Sequence, residues 1–217
     1  MAKGRRSGGR VSTPAEHALL GLLAMGEDGP GDGQGSGYGY DLARHFADGQ
    51  PLAEVLRLEP GMLYHHLKKL ARAGWVEATV EEQGARPPRR VYRLTEAGRA
   101  ELGRWLGAPV ARTREIRLEF LVKLYFARRL DPARAVRLVA EQRETFRRLE
   151  DSLARQLARL TAEADAGEEN AAEDRAFRRL VLELRLAQTR AATGWLNTAE
   201  GHPLPGSGAP SSPPAAG

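Results

Sequence analysis

The run Leu58-Glu-Pro-Gly-Met-Leu-Tyr-His-His-Leu-Lys-Lys-Leu-Ala-Arg-Ala-Gly-Trp-Val76, with the segment Pro88-Arg-Arg-Val-Tyr-Arg-Leu-Thr-Glu-Ala-Gly98 that follows it, decides the fold. Pro60 suits the first turn of a helix, Leu63, Leu67 and Leu70 return on one face, and Gly74 can close the helix in the left-handed conformation. The other face carries Met62, His65, His66, Lys68, Lys69 and Arg72. Beyond it Val76, Ala78 and Val80 alternate with charged residues before a turn over Gln83 to Pro88, which predicts a hairpin. Helix, strand, basic turn and strand in this order predict a winged helix-turn-helix.

Five short motifs occur in sequence: Gly39-Tyr40-Asp41-Leu42, Pro60-Gly61-Met62-Leu63-Tyr64, Leu67-Lys68-Lys69-Leu70, Gly74-Trp75-Val76, and Arg90-Val91-Tyr92-Arg93-Leu94-Thr95-Glu96-Ala97-Gly98. Each alone is weak, but the ordered set is specific. In it the chain resembles the PadR family of bacterial transcription regulators, strongly over about residues 13 to 107 and more loosely to about 197. The resemblance implies Tyr64 and Lys68 as DNA contacts, repression as the mode of action, and a helical carboxy-terminal dimerisation region ending near a Trp-Leu pair, the place held here by Trp195-Leu196. Three departures stand out. Glu59 occupies the position before Pro60 where a serine-like cap is usual; it suits the helix dipole and would repel a phosphate, so it either points away from DNA or accepts from a cytosine amino group. Ala85-Arg86-Pro87-Pro88 stiffens the wing tip, and the Gly-rich loop before Tyr38 is longer than usual.

Work outward from this core gives the rest of the organisation. Residues 1–11, a basic tail with Lys3, Arg5, Arg6 and Arg10, and 199–217, rich in Pro, Gly and Ser, hold almost no large apolar residue and are expected to be disordered. Residues 12–108 are expected to form the winged domain. Ser12 or Thr13 with Pro14 opens a helix striped by Ala18, Leu19, Leu22 and Leu23; glycine dominates a loop from Glu27 to Gly37; and a helix from about Tyr38 to Ala47 buries Leu42, Ala43 and Phe46. Thr95 caps a helix to about Leu106 whose Leu102, Trp105 and Leu106 reach the core.

Residues 109–198 are expected to be a helical dimerisation domain. One helix over about 112–129 carries Ile116, Phe120, Leu121, Leu124 and Tyr125; Asp131-Pro132 restarts the chain into a long helix to about Ala164 with Val139, Phe146, Leu149, Leu153 and Leu160; a last helix to about Asn197 presents Phe177, Leu180, Leu184, Ala187, Ala191 and Trp195. Such stripes need an apolar partner, either in a closed hairpin or in a second chain. A single winged helix covers about half a DNA site, which favours two-fold pairing, with Phe146, Leu149, Leu153, Phe177, Leu184 and Trp195 between chains. Truncation near residue 109 is then expected to leave a folded but monomeric winged domain.

The fold class expected is therefore mainly α with a small β-hairpin wing, and the function a sequence-specific regulator that binds double-stranded DNA as a homodimer. The alternative is a winged-helix protein-interaction module. DNA contacts are expected from Met62, Tyr64, His65, His66, Lys68, Lys69 and Arg72 on the helix and from Arg86, Arg89 and Arg90 on the wing, where no acid lies among the arginines. By the resemblance, a small aromatic effector would sit near the dimer interface, and Trp105, Phe120 and Tyr125 are the aromatic residues that could line its site or serve as ordinary core.

Composition sets the outer limits. A net charge of +5 and a pI near 9.9 permit a nucleic-acid partner without requiring one. With no cysteine there is no disulfide or cysteine-ligated metal, which fits a cytoplasmic protein. No apolar run approaches the roughly 20 residues of a membrane span, and Met1 to Arg10 lacks the apolar segment of a secretory signal. The glycine loop satisfies neither dinucleotide nor phosphate-loop spacing, the five histidines lack metal spacing, and Glu168-Glu169 and Glu173-Asp174 have no partnered base or nucleophile. No enzyme, metal or cofactor is expected.

Overall fold

The computed structural model describes residues 13–27, 37–83, 86–162 and 169–200, with the side chains of 27, 83, 86–88, 169–171 and 200 left aside. Residues 1–12 and 201–217 of the tails, the glycine loop after Glu27 and the side chain of Arg86 lie outside the described residues, whereas 199 and 200 of the expected carboxy-terminal tail continue the last helix. The chain divides into two compact units. One comprises the chain up to Ala108 together with Arg117–Leu130; the second comprises Pro109–Ile116 and the chain from Asp131 on.

In the first unit α1 (Pro14–Glu27), α2 (Gly39–Arg44) and α3 (Pro60–Arg72) lead into an antiparallel hairpin of β1 (Val76–Gln83) and β2 (Arg86–Leu94), followed by α4 (Glu96–Leu106). The start of α1 is a capping box: Thr13 Oγ1 accepts from Glu16 N–H and the Glu16 carboxylate accepts from Thr13 N–H, both at 3.4 Å. Ala18, Leu19, Leu20, Leu22 and Leu23 of α1 are buried with Leu42, Leu52, Leu63, Leu67 and Leu70, so α1 is the helix around which the unit packs. The α3 helix ends as the sequence predicts. Gly74 takes φ +74°, and the N–H groups of Gly74 and Trp75 donate to the carbonyls of Ala71 and Leu70. Thr95 caps α4 by accepting from Gly98 N–H at 3.0 Å and also donates to the Gly74 carbonyl, tying the end of α3 to the start of α4.

The segment 112–129 is not the single helix its letters predict. A 3-10 turn at Thr113–Glu115 and a π-turn at Ile116–Phe120 precede α5 (Leu121–Leu130). The buried face of α5 is Val122, Lys123, Phe126 and Ala127, whereas the expected Leu121, Leu124 and Tyr125 are only half-buried. The reason is Lys123. Its ammonium donates to the Ala108 carbonyl at 2.6 Å, pairs with Glu119 at 3.1 Å and lies 5.1 Å from the centre of the Trp105 ring, so a lysine is accommodated on the core side. Consequently α5, grouped by the sequence reading with the carboxy-terminal domain, packs against α1 and α4 in the winged unit.

The second unit is dominated by α6 (Pro132–Ala162) and α7 (Glu169–Glu200), which pack along one another. Leu153 and Leu160 of α6 meet Leu182 and Leu186 of α7, with Leu149 and Leu157 partly covered beside them. Gln142 is wholly buried and clasps the backbone of one residue: its side-chain oxygen accepts from Val110 N–H at 2.6 Å and its amide donates to the Val110 carbonyl at 2.9 Å. No helix among the described residues is long and apolar enough to cross a membrane.

Candidate nucleic-acid interface

Because Leu63, Leu67 and Leu70 are buried, α3 must turn Met62, Tyr64, His65, Lys68 and Arg72 outward, and all five are exposed. Tyr64 is held while exposed. Its ring lies so close to the Gly39 backbone that a Cβ there would come within 2.5 Å of Tyr64 Cε1, which gives the glycine of the upstream Gly-Tyr motif a steric reason. Glu59 is exposed before the helix and makes no capping bond with its side chain.

His66 and Lys69, expected on the DNA-facing surface, belong to a different set. Both reach the same carboxylate oxygen of Glu16 on α1: His66 Nδ1 lies 3.2 Å from it and Lys69 Nζ donates to it. The Glu16 side chain is 3% exposed. At spacing i, i+3 the two residues share one side of α3, and a buried carboxylate on the neighbouring helix claims that side. Sequence reasoning missed Glu16 because its letter also fits an exposed first-turn acid.

Next to Glu16, His17 is buried too, stacked on Trp105 with ring centres 4.3 Å apart, its Nε2 2.9 Å from Glu101 Oε1. Burial pushes its pKa below the ordinary histidine range against the opposing pull of Glu101. Glu101 in turn is raised by burial, but bonds from Arg104 and His17 outweigh this and hold its carboxyl below the usual range.

The wing register modifies the reading of its arginines. Across the hairpin Arg89 stands opposite Glu81 and Arg93 opposite Glu77, so acids absent from β2 are supplied by β1; Arg90 stands opposite Val80. Arg89 and Arg90 are exposed, and Arg89 also lies 5.9 Å from the Tyr38 ring centre. Tyr38 secures this region to α2: it bridges to Val91, its neighbour Gly37 accepts from Tyr92 N–H at 2.7 Å, and its hydroxyl donates to Glu81 at 2.8 Å. That bond, more than any other influence, raises the Tyr38 pKa above the usual tyrosine value.

The three aromatic residues singled out for an effector are engaged in packing. Trp105 is buried against His17 with its indole N–H donating to Glu119 at 3.0 Å, Phe120 is wholly buried, and Tyr125 carries the Arg129 guanidinium 3.6 Å from its ring centre. The residues expected between chains separate into two groups. Phe146 and Leu153 are buried inside the second unit and Leu149 partly so, while Phe177, Leu184 and Trp195 are exposed along with Leu180 and Val181. Among the described residues no three His, Asp or Glu side chains gather as a metal site would require.

An exposed basic face on the helix before a two-stranded wing, backed by a helical core, defines a winged-helix domain of the nucleic-acid-binding kind. Residues 33–104 match the family of PadR-like transcriptional regulators, and residues 116–201 match the family described as virulence activator alpha C-term. Residues 33–104 are thus a PadR-like domain, and the relatives they resemble are named transcriptional regulators. A negative transcriptional regulator PadR of Bacillus subtilis is 30% identical over 129 residues, which is 58% of this chain and 64% of that protein. A Mycobacterium tuberculosis protein named "Probable transcriptional regulator Rv1176c" is 36% identical over 76 residues, 35% of this chain and 39% of that one. The matches thus span less than two thirds of either relative. Among solved structures, Bacillus subtilis PadR in complex with operator DNA aligns with 25% identity and a TM-score of 0.38 over 86% of this chain and 96% of that chain. The virulence activator AphA of Vibrio cholerae aligns with 22% identity and a TM-score of 0.34 over 86% and 96%.

Proposed function

We propose that this chain is a cytoplasmic, sequence-specific regulator that binds double-stranded DNA as a homodimer and acts as a repressor. The observation that carries the reading is the exposed face of α3, where Tyr64, His65, Lys68 and Arg72 stand opposite the buried leucines. Laid in a major groove, such a face brings Lys68 and Arg72 to phosphates and His65 to base edges, while Arg90 on the wing reaches the neighbouring backbone or minor groove. The resemblance in sequence to a named negative regulator supports repression.

Dimerisation is supported by α7. Phe177, Leu180, Leu184, Ala187 and Ala191 follow a three-four spacing on a face turned away from the buried Leu182, Leu186 and Leu196, and an apolar seam of that period is what a second helix covers. Two-fold pairing through it would present two α3 helices to a pseudo-palindrome. A small aromatic effector that reached Trp105 would have to displace the His17 stack and the Glu119 bond, so of the three aromatic residues the half-buried Tyr125 is the more accessible to it.

The test is titration of the full chain against duplexes from the DNA around its own gene, with unrelated competitor, at several salt concentrations. Expected is a preference for one sequence and a log-log salt dependence that Lys68→Ala flattens by about one unit. Equal affinity for every sequence, flat in salt, would overturn the reading.

A further inference from the structure

We propose that Glu16 is a positioning residue for DNA recognition: from α1 it holds His66 and Lys69 and so fixes the rotation of α3 about its own axis. The proposal rests on the DNA-binding reading of α3. One carboxylate serves two helices. Its Oε2 accepts from Thr13 N–H in the capping box of α1, and its Oε1 takes both His66 Nδ1 and Lys69 Nζ from α3. A carboxylate this deeply covered is costly to leave without partners, so the link is strongly favoured over its absence.

The leucine contacts alone do not set the rotation tightly. Leu63, Leu67 and Leu70 form a stripe that tolerates some rolling of the helix, whereas bonds from two side chains to one fixed oxygen do not. Rotation decides which of Tyr64, His65 and Lys68 meets a base edge, and readout of that kind needs placement to about 0.5 Å. The same link neutralises Lys69 inside the protein. The cations of α3 available to phosphates are then Lys68 and Arg72, both exposed, and Lys69 is removed from that count although its letter and its neighbour suggest otherwise.

The experiment measures binding of the full chain to its preferred duplex and to competitor across a salt series, for wild type, Lys68→Ala, Lys69→Met and Glu16→Gln. Lys68→Ala is expected to flatten the salt slope by about one unit. Lys69→Met is expected to leave the slope unchanged and to reduce the preference for the specific duplex about tenfold, the scale of one lost base contact. Glu16→Gln is expected to lose preference similarly and to steepen the slope by about one unit, since Lys69 becomes available to phosphate; general loosening of the domain gives no such steepening. A slope flattened by Lys69→Met as by Lys68→Ala, or wild-type slope and preference in Glu16→Gln, would overturn the proposal. A DNA-free arm separates it from the reading beneath it. In thermal unfolding of Glu16→Gln, Lys69→Met and the double variant, a non-additive change of about tenfold in the unfolding equilibrium is expected, and strict additivity refutes the link. Failure of the wild-type chain to prefer any duplex sinks the DNA reading, with this cycle still deciding the pairing.

Discussion

Replacing Leu184 by Glu tests the α7 seam most directly. Leu184 is 59% exposed and lies between Leu180 and Ala187 in the three-four series, so charge there leaves the internal cluster of Leu153, Leu160, Leu182 and Leu186 intact. Full burial of a leucine side chain contributes about 1.5–3 kcal/mol, and covering the exposed part leaves roughly 1.5 kcal/mol per copy. A two-fold interface presents the residue twice, which doubles the effect to about 3 kcal/mol. That is about a hundredfold in the dimer dissociation constant, and burying two carboxylates adds to it. Sedimentation velocity over a concentration series reads the constant, with thermal unfolding as a check that the monomer is folded. The expected result is a folded Leu184→Glu chain that dissociates at about a hundredfold higher concentration than wild type and loses cooperative binding to a two-half-site duplex. Wild-type assembly in this variant would refute the reasoning, because no seam through α7 could hide that charge.

On the wing, Arg90→Ala should weaken duplex binding and flatten the salt slope more than Arg89→Ala, since Arg90 faces Val80 while Arg89 faces Glu81 and lies near the Tyr38 ring; fluorescence anisotropy with equal losses in both would count against the register argument. Stability should fall on acidification through His17. Its folded pKa lies below the unfolded value of about 6.5, so the unfolded chain takes up the proton first; stability is full above that value and declines as pH drops beneath it, by at most about 1.4 kcal/mol per pH unit for one proton. His45, lowered by burial and by Arg44, adds in the same direction, so the specific check is that His17→Gln shows a shallower acid slope in chemical denaturation than wild type. A fragment ending at residue 130 should melt cooperatively, whereas one ending at 108 should not, because Val122, Lys123, Phe126 and Ala127 complete the core of the winged unit; equal melting of the two fragments would remove α5 from that core.

Much of the fold was legible because its signals are local. Pro60 and Gly74 bound α3, Thr95 caps α4 and Asp131-Pro132 starts α6, each by chemistry within a few residues. The leucine period of α3 likewise placed Met62, His65, Lys68 and Arg72 on an outward face, which they occupy, but it placed the half-buried His66 and Lys69 there as well. The illegible parts depend on partners distant in sequence. Lys123 reads as a surface residue and is buried because Glu119 and the Ala108 carbonyl meet it; the wing looks wholly basic until the register brings Glu77 and Glu81 across from Arg93 and Arg89. The α7 helix carries two apolar stripes, and periodicity alone does not say which one its own chain covers.

The same blindness has a functional side in α3. Lys68 and Lys69 are adjacent and chemically identical, so any count of cations from sequence assigns both to phosphate. A helical step of about 100° separates them, enough to leave Lys68 exposed and to bring Lys69 to Glu16, 53 residues away in the chain. Charge on a recognition helix therefore divides into a part that meets the nucleic acid and a part that holds the helix in place. Where a basic face of this kind packs against a helix with a buried acid, the number of basic letters overstates the number of phosphate contacts, and the excess is a measure of how the helix is anchored.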